Sequence, residues 1–282
     1  MRVLVTGGSG QLGHDVCTRL AANKIDYKGT SSADFNIVNS DDTINSIVSY
    51  KPDVIVHCAA YTAVDKAESE IALCRDINVD GTAHIAEAAR LLNAKLVYIS
   101  TDYVFSGQGV LPYEIDSPIM PCSVYGRSKA DGETQVKAWT EKHFIIRISW
   151  AFGVNGSNFV KTMLRLAQSN NEINVVNDQI GSPTYTADLA ALICEMVKTE
   201  KYGVYHATNE GYCSWAEFAQ LIMNDSGLKT KINPISSDKY VSVAKRPLNS
   251  RLSKVSLDIN GFSRLPSWQD ALKKYIASLS NQ

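Results

Sequence analysis

The 282 residues, 45% hydrophobic and 20% charged, make an ordinary globular chain, too long for one dinucleotide-binding unit of about 150 residues and short for three domains. Lys and Arg number 28 against 29 Asp and Glu, a formal charge of −1, so no global basic field gathers nucleic acid and no acidic block marks a solvating tail. No run approaches the roughly 18 apolar residues that cross a bilayer, and Met1-Arg2-Val3-Leu4-Val5-Thr6 reaches glycine before a signal-peptide core can form, so a cytoplasmic protein is expected, with neither nucleic acid nor membrane as partner.

In chain order, strand and helix alternate. Residues 3–6 are a short apolar run, followed by glycines and a helical stretch to residue 23, and residues 26–29 read as a second strand. Residues 41–50 are helical, Pro52-Asp53 punctuates, and 54–58 is apolar throughout, as a parallel strand covered on both faces must be. Ala-rich 81–93 is a helix leading into the buried strand 96–99; a helix over roughly 123–142 precedes a fifth strand at 144–148. Such alternation requires right-handed crossovers and builds a doubly wound parallel sheet, an α/β fold of Rossmann type. After Trp150 the regularity breaks into a helix near 158–168, a strand at 173–176, helices at about 187–199 and 215–224, and a terminal helix from about 268. With no repeat or proline-rich linker, this second part should pack against the first as a smaller, mixed α/β substrate-binding domain.

Six cysteines, at 17, 58, 74, 122, 194 and 213, form no C-x-x-C pair, and several lie in apolar segments, which fits buried free thiols in a reducing compartment. The five histidines, His57, His84 and His206 among them, lack ligand spacing, and no zinc site is expected.

Gly7, Gly8, Gly10 and Gly13 follow the first strand and open the first helix. A turn there needs freedom from Cβ clashes, backbone close enough to touch a pyrophosphate, and a helix N-terminus offering free N–H groups and partial positive charge. Strand before and helix after make this a dinucleotide site. At the end of the second strand, where an acid would hold a ribose 2′-hydroxyl, the chain reads Gly29-Thr30-Ser31-Ser32, and the nearest acid is Asp34. No acid repels a 2′-phosphate and no arginine binds it strongly, so NADPH is expected with NADH tolerated.

Tyr125 and Lys129 are four residues apart and share one helix face. A phenol is a poor proton donor or acceptor at neutral pH, and a nearby ammonium lowers its proton affinity. Ser100-Thr101-Asp102-Tyr103-Val104-Phe105 follows the fourth strand, at the carboxyl end where parallel sheets bind ligands, so the Thr101 hydroxyl can reach the same pocket.

Together, Gly7 to Gly13, Asn78-Val79-Asp80-Gly81-Thr82, Ser100-Thr101-Asp102-Tyr103 and the Tyr125, Lys129 pair resemble the extended short-chain dehydrogenase/reductases. Within them, Cys58-Ala59-Ala60-Tyr61-Thr62-Ala63-Val64-Asp65-Lys66-Ala67-Glu68, Arg147-Ile148-Ser149-Trp150, Asn158-Phe159-Val160-Lys161-Thr162-Met163, Asn177-Asp178-Gln179-Ile180-Gly181-Ser182-Pro183-Thr184 and Arg246-Pro247-Leu248-Asn249-Ser250 are similar to the dTDP-4-dehydrorhamnose reductase family, over residues 1 to about 275.

The resemblance implies an oxidoreductase that uses NADPH to reduce the C4 ketone of dTDP-4-dehydro-L-rhamnose, a dTDP-linked 4-keto-6-deoxy sugar, to dTDP-L-rhamnose for polysaccharide biosynthesis. Tyr125 would donate the proton, Lys129 would lower its proton affinity and bind the nicotinamide ribose, and Thr101 would bind the sugar. The cofactor set is then Gly7, Gly10, Gln11, Leu12, Gly13, Asp34, Phe35, Ala59, Ala60, Tyr61 and Thr62 with Tyr125 and Lys129. The substrate set is Thr101, Asp102, Trp150, Asn158, Lys161 and Arg246; Trp150 also reads as a core aromatic. Lys161, Lys245 and Arg246 are the cations available to the anionic ligands. Some relatives hold magnesium between subunits at acidic side chains whose places here carry Asp15 and Asp188. Each is a methylene shorter than glutamate and reaches about 1.5 Å less, so no bridging metal is expected.

Two other readings stay open: a sugar-nucleotide dehydratase or epimerase, although Tyr103 stands where a dehydratase carries glutamate, and a non-catalytic NADP-binding regulatory subunit. The chain should be a monomer or homodimer, with residues 1–150 and about 176–205 holding the cofactor and about 151–175 and 206–282 closing over the sugar nucleotide.

Overall fold

Strands without a polar face must be covered on both sides, and the first half of the chain folds accordingly. The structure is a computed structural model and describes residues 1–279. β1 (Arg2–Thr6) leads into α1 (Gln11–Ala22), and β2 (Asp26–Thr30) into α2 (Ser40–Tyr50). β3 (Val54–His57) is followed by the short α3 (Val64–Ala67) and α4 (Ile71–Arg75), a π-turn at Asp76–Asp80, and α5 (Gly81–Leu91). β4 (Lys95–Thr101) runs through a 3-10 turn, Asp102–Val104, toward α6 (Val124–Trp139), and β5 (His143–Ile148) closes this half. Then come β6 (Ala151–Phe152), α7 (Phe159–Ala167), β7 (Glu172–Val176), β8 (Ile180–Gly181), β9 (Thr184–Tyr185), α8 (Thr186–Met196) and β10 (Gly203–His206). The C-terminal stretch adds β11 (Cys213–Ser214), α9 (Trp215–Asp225), β12 (Lys231–Ile235), β13 (Asn249–Ser250), α10 (Val255–Ile259) and α11 (Trp268–Leu279).

Six strands form one parallel sheet in the order β10-β5-β4-β3-β1-β2. The chain leaves β1 for β2 on one side and returns to β3 on the other. That reversal opens a crevice at the carboxyl ends of β1 and β3, where a doubly wound sheet takes its ligand. Alternate residues divide the cover: Val3, Val5, Val54, Val56, Phe144 and Ile146 pack with Leu12 and Val16 of α1 and Leu189 and Ile193 of α8. Leu4, Ile55, Leu96, Tyr98 and Ile145 face Ile47 of α2, Ile85 and Ala89 of α5 and Val136 of α6. Each such aliphatic side chain contributes roughly 1.5–3 kcal/mol by leaving water.

A second core gathers Phe152, Val160, Met163, Ile173, Phe218, Ile222, Trp268, Leu272 and Tyr275 from β6, α7, β7, α9 and α11. Leu257, Phe262 and Leu265 instead join the first core beneath the sheet. The expected helix over 123–142 stops at Trp139, because Thr140 turns extended. β10, which no strand pattern announced, continues the sheet beside β5. Among the described residues, no helix is long and apolar enough to cross a membrane.

Candidate functional site

The glycine turn is built by close approach. Gly7 has φ +67°, and a Cβ there would stand 2.7 Å from the Ala59 nitrogen at the end of β3. Gly10 N–H returns to the Gly7 carbonyl at 2.9 Å, and Gly8 N–H reaches the Thr30 carbonyl at 2.8 Å, tying the turn to β2. The N-cap of α1 is Gly10, whose missing side chain leaves the first N–H groups of the helix to a ligand. Gly13 lies under the turn, where a Cβ would overlap the Gly7 carbonyl, so it supports the site without lining it.

From this turn a cleft of about 910 Å³ runs across the carboxyl ends of the strands. Thr30, Ser31, Ser32 and Phe35 line one end; Gly7, Gly10, Gln11, Leu12, Ala59, Ala60 and Thr62 the middle; Thr101, Asp102, Tyr103, Tyr125, Lys129 and Trp150 the other end. Its size matches pockets that enclose one or two small ligands.

The reacting end is assembled by caps. Ser123 caps α6 by accepting from Gly126 N–H at 3.1 Å, and Gly126 is needed because a Cβ would overlap the Tyr103 carbonyl. Thr101 accepts from Tyr103 N–H at 3.2 Å, donates to Asp102 Oδ1 at 2.9 Å, and hydrogen-bonds the Tyr125 hydroxyl. Burial, aided by the Asp102 charge, pushes the Tyr125 phenol well above its ordinary range. Burial also draws the Lys129 ammonium down to about 7, against the pull of the Glu133 carboxylate, and pushes Asp102 up to about 6. The expected lowering of the phenol by Lys129 is therefore outweighed by burial and by the Asp102 charge. Lys129 Nζ instead lies 4.0 Å from the centre of the Tyr98 ring, a cation–π contact. His57, drawn to about 3 by burial and by Lys129, is neutral and bridges Thr6 Oγ1 at 2.7 Å and Thr82 Oγ1 at 3.2 Å.

Five expected ligand residues are held by partners within the chain. The Asp34 carboxylate accepts from Ser31 N–H at 2.8 Å and Ser31 Oγ at 3.1 Å, which closes the turn after β2. Tyr61 sends its hydroxyl to Glu70 at 2.6 Å. Asn158 caps α7 and donates to Gln11 Oε1, Gly153 O and Tyr275 Oη; Lys161 Nζ is held by the carbonyls of Val154 at 2.6 Å and Gly156 at 2.9 Å. Arg246 donates to Asp65 at 2.7 Å. In each case a partner inside the chain offers a fixed bond where solvent offered none, and a sequence string cannot show that partner.

Sequence reasoning also missed supporting residues. Asn78, on the π-turn, accepts from Tyr61 N–H at 2.9 Å and donates to Tyr61 O at 3.1 Å and Ser128 Oγ at 2.9 Å, clamping the segment after β3 onto α6. Glu133 and Arg147 form a buried bidentate pair at 2.7 and 2.8 Å, with Ser100 donating to Glu133 at 2.6 Å beneath the reacting end. The signal was available: Glu133 is one helical repeat beyond Lys129 on the same face.

Asp15 accepts from Thr186 Oγ1 at 2.5 Å, and Asp188 accepts from Asn209 at 2.9 Å with Lys274 3.8 Å away. Both carboxylates are committed to donors of the same chain, which does not suit a divalent cation.

A family model described as the RmlD substrate binding domain matches residues 1–281. The spore coat polysaccharide biosynthesis protein SpsK of Bacillus subtilis (strain 168) is 41% identical over 280 residues, covering 99% of this chain and 98% of that protein. The dTDP-4-dehydrorhamnose reductase of Aggregatibacter actinomycetemcomitans is 40% identical over 286 residues, covering 96% and 97%. Among solved structures, dTDP-4-dehydrorhamnose reductase from Bacillus anthracis str. Ames in complex with NADP superposes with a TM-score of 0.96 at 42% identity, covering 98% and 99%.

Proposed function

We infer the activity from the family to which this chain belongs, the dTDP-4-dehydrorhamnose reductases of the RmlD substrate binding domain group: it reduces the C4 ketone of dTDP-4-dehydro-L-rhamnose to give dTDP-L-rhamnose. NADP(H) is the cofactor, and because the end of β2 carries neither an acid nor an arginine, NADH is tolerated. When bound, the dihydronicotinamide supplies a hydride to the C4 carbon.

The chain's own residues do the rest. Tyr125 Oη holds a proton and gives it to the C4 oxygen as that oxygen gains charge, so no free alkoxide forms. A phenol raised by burial keeps its proton at neutral pH but is a weak acid, so a charged Lys129 beside the bound ligands must ease its release. Thr101, bonded to both Tyr125 and Asp102, orients the hydroxyl and the sugar oxygen together. Lys129 binds the nicotinamide ribose and, once anionic ligands fill the cleft, regains the charge that burial disfavours. The glycine turn and the N-terminus of α1 take the pyrophosphate. Trp150 covers the sugar nucleotide.

The observation that carries this reading is that the Thr101, Tyr125 and Lys129 cluster and the glycine turn open onto one cleft. Residues 1–150 and about 176–205 hold the cofactor, and about 151–175 and 206–282 hold the sugar nucleotide, except the stretch around Leu257 to Leu265 that packs under the sheet. No magnesium enters this reading, and a chelator should leave activity and assembly mass unchanged.

The test is NADPH absorbance in the presence of dTDP-4-dehydro-L-rhamnose, then of ADP-, UDP- or GDP-linked analogues. Oxidation with the dTDP sugar is expected. Oxidation with none of them would instead favour a binding protein.

A further inference from the structure

The segment between β12 and β13 is a strap that passes Tyr103, at the reacting end of the cleft. Its ends are tied: Ser237 N–H and Oγ donate to Asp178 at 2.8 and 2.5 Å, and the N–H groups of Leu248 and Asn249 meet the Gly107 carbonyl at 3.1 and 3.0 Å. Between these ends Val241 and Val243 are 96% and 74% exposed, yet Ala244 is only 1% exposed. The burial at Ala244 coincides with an anchor from a distant part of the chain. Asp65, in the first turn of α3, accepts from Ala244 N–H at 3.1 Å with Oδ1 and from Arg246 Nη2 at 2.7 Å with Oδ2.

Arg246 continues the chain of contacts inward. Its guanidinium hydrogen-bonds the Tyr103 hydroxyl, and the Tyr103 ring meets the Tyr125 ring edge-on, with centroids 5.5 Å apart and planes at 76°. Arg246 Nε is buried and has no hydrogen-bond partner among the described residues. Asp65 itself stands three residues after Thr62, which lines the cleft. One carboxylate thus joins the cofactor-side segment to the strap.

We propose that Asp65 is a positioning residue, a latch that holds the strap and its Arg246 guanidinium over the reacting end so that Arg246 and Tyr103 meet the sugar nucleotide preformed. The proposal rests on the reductase reading for its ligand. Side-chain exposures of 28% for Arg246 and 43% for Asp65 place the pair where ion pairs add little to stability, so its effect should be on substrate affinity and not on melting.

The experiment uses the full chain with Asp65→Ala, Asp65→Glu, Arg246→Ala and the double alanine variant. Loss of a charge-assisted anchor should raise the KM for the dTDP sugar about tenfold in Asp65→Ala, with kcat and NADPH affinity within about threefold of the parent. Asp65→Glu should recover part of the loss. The double variant should be no worse than Arg246→Ala, since one acts through the other. A second readout needs no substrate: trypsin should cut the strap, at Lys239 or Lys245, about fivefold faster in Asp65→Ala. An unchanged KM, additive losses, or an equal loss of NADPH affinity would overturn the latch. So would an unchanged cleavage rate, even if the parent turned over no sugar nucleotide. Faster cleavage in a chain without reductase activity would support the latch while removing the reductase reading.

Discussion

The indole of Trp150 stacks on that of Trp215, with centroids 3.7 Å apart and planes 16° from parallel. Trp150 follows β5 with φ +51°, a left-handed conformation that costs a bulky residue about 1–2 kcal/mol. The stack, extended by Phe159 at 4.5 Å from Trp215, holds the ring in that conformation at the edge of the cleft.

Trp215→Leu should therefore loosen Trp150 and raise the KM for the sugar nucleotide about three- to tenfold, the worth of one aromatic pair, with little change in NADPH affinity. Steady-state kinetics with each substrate varied in turn measures this. A lower kcat at unchanged KM would count against a role for the stack in holding substrate.

Tyr125→Phe removes the proton donor and keeps the ring against Tyr103. Turnover should fall about 10²-fold or more while NADPH titration by fluorescence stays near the parent value. Near-normal turnover would take Tyr125 out of the mechanism.

Much of this site was legible because strings of residues also lie close in space. Gly7 to Gly13 is one turn, and Tyr125 and Lys129 share a helix face, so their spacing carried their geometry. The doubly wound parallel sheet was legible too, because strand alternating with helix requires crossovers, whereas its edge strand β10 was not. What could not be read were bonds between distant segments. Nothing in the sequence ties Asp65 to Arg246 or Asn158 to Gln11, and Trp215 looked like the start of a helix. Asp34 was assigned to the cofactor by position, but its carboxylate had a nearer donor in Ser31.

Lys129 gives a pH signature in the empty protein. Folded, it loses its proton near about 7, against 10.5 in the open chain. Below that lower value both states are charged and folding bears the full cost of burying the ammonium. As pH rises through the window between them, the folded side chain becomes neutral and the cost is relieved, so stability from this group increases with pH. Lys129→Met should melt above the parent near about pH 6.5, and the gap should narrow steadily as pH rises from about 7 toward 10.5. A gap that does not depend on pH would show that Lys129 is not desolvated as described.

Cofactor preference should be mild. Ser31 and Ser32 line the end of the cleft where a 2′-phosphate or a 2′-hydroxyl would lie, and Asp34 is occupied with Ser31. The ratio of kcat/KM for NADPH over NADH should stay within about tenfold, and Ser32→Arg should move it about tenfold toward NADPH by adding a charge-assisted bond. A strong NADH preference in the parent would contradict this account of the pocket.

The central claim, hydride delivery to C4 of the sugar with Tyr125 supplying the proton, is tested most directly by isotope. The enzyme is run with dTDP-4-dehydro-L-rhamnose and NADPH deuterated at the transferring position of nicotinamide C4, and the product sugar is examined by mass spectrometry and proton NMR. The account predicts a single deuterium, located at C4 of dTDP-L-rhamnose. Product without deuterium, or deuterium at another carbon, would contradict it.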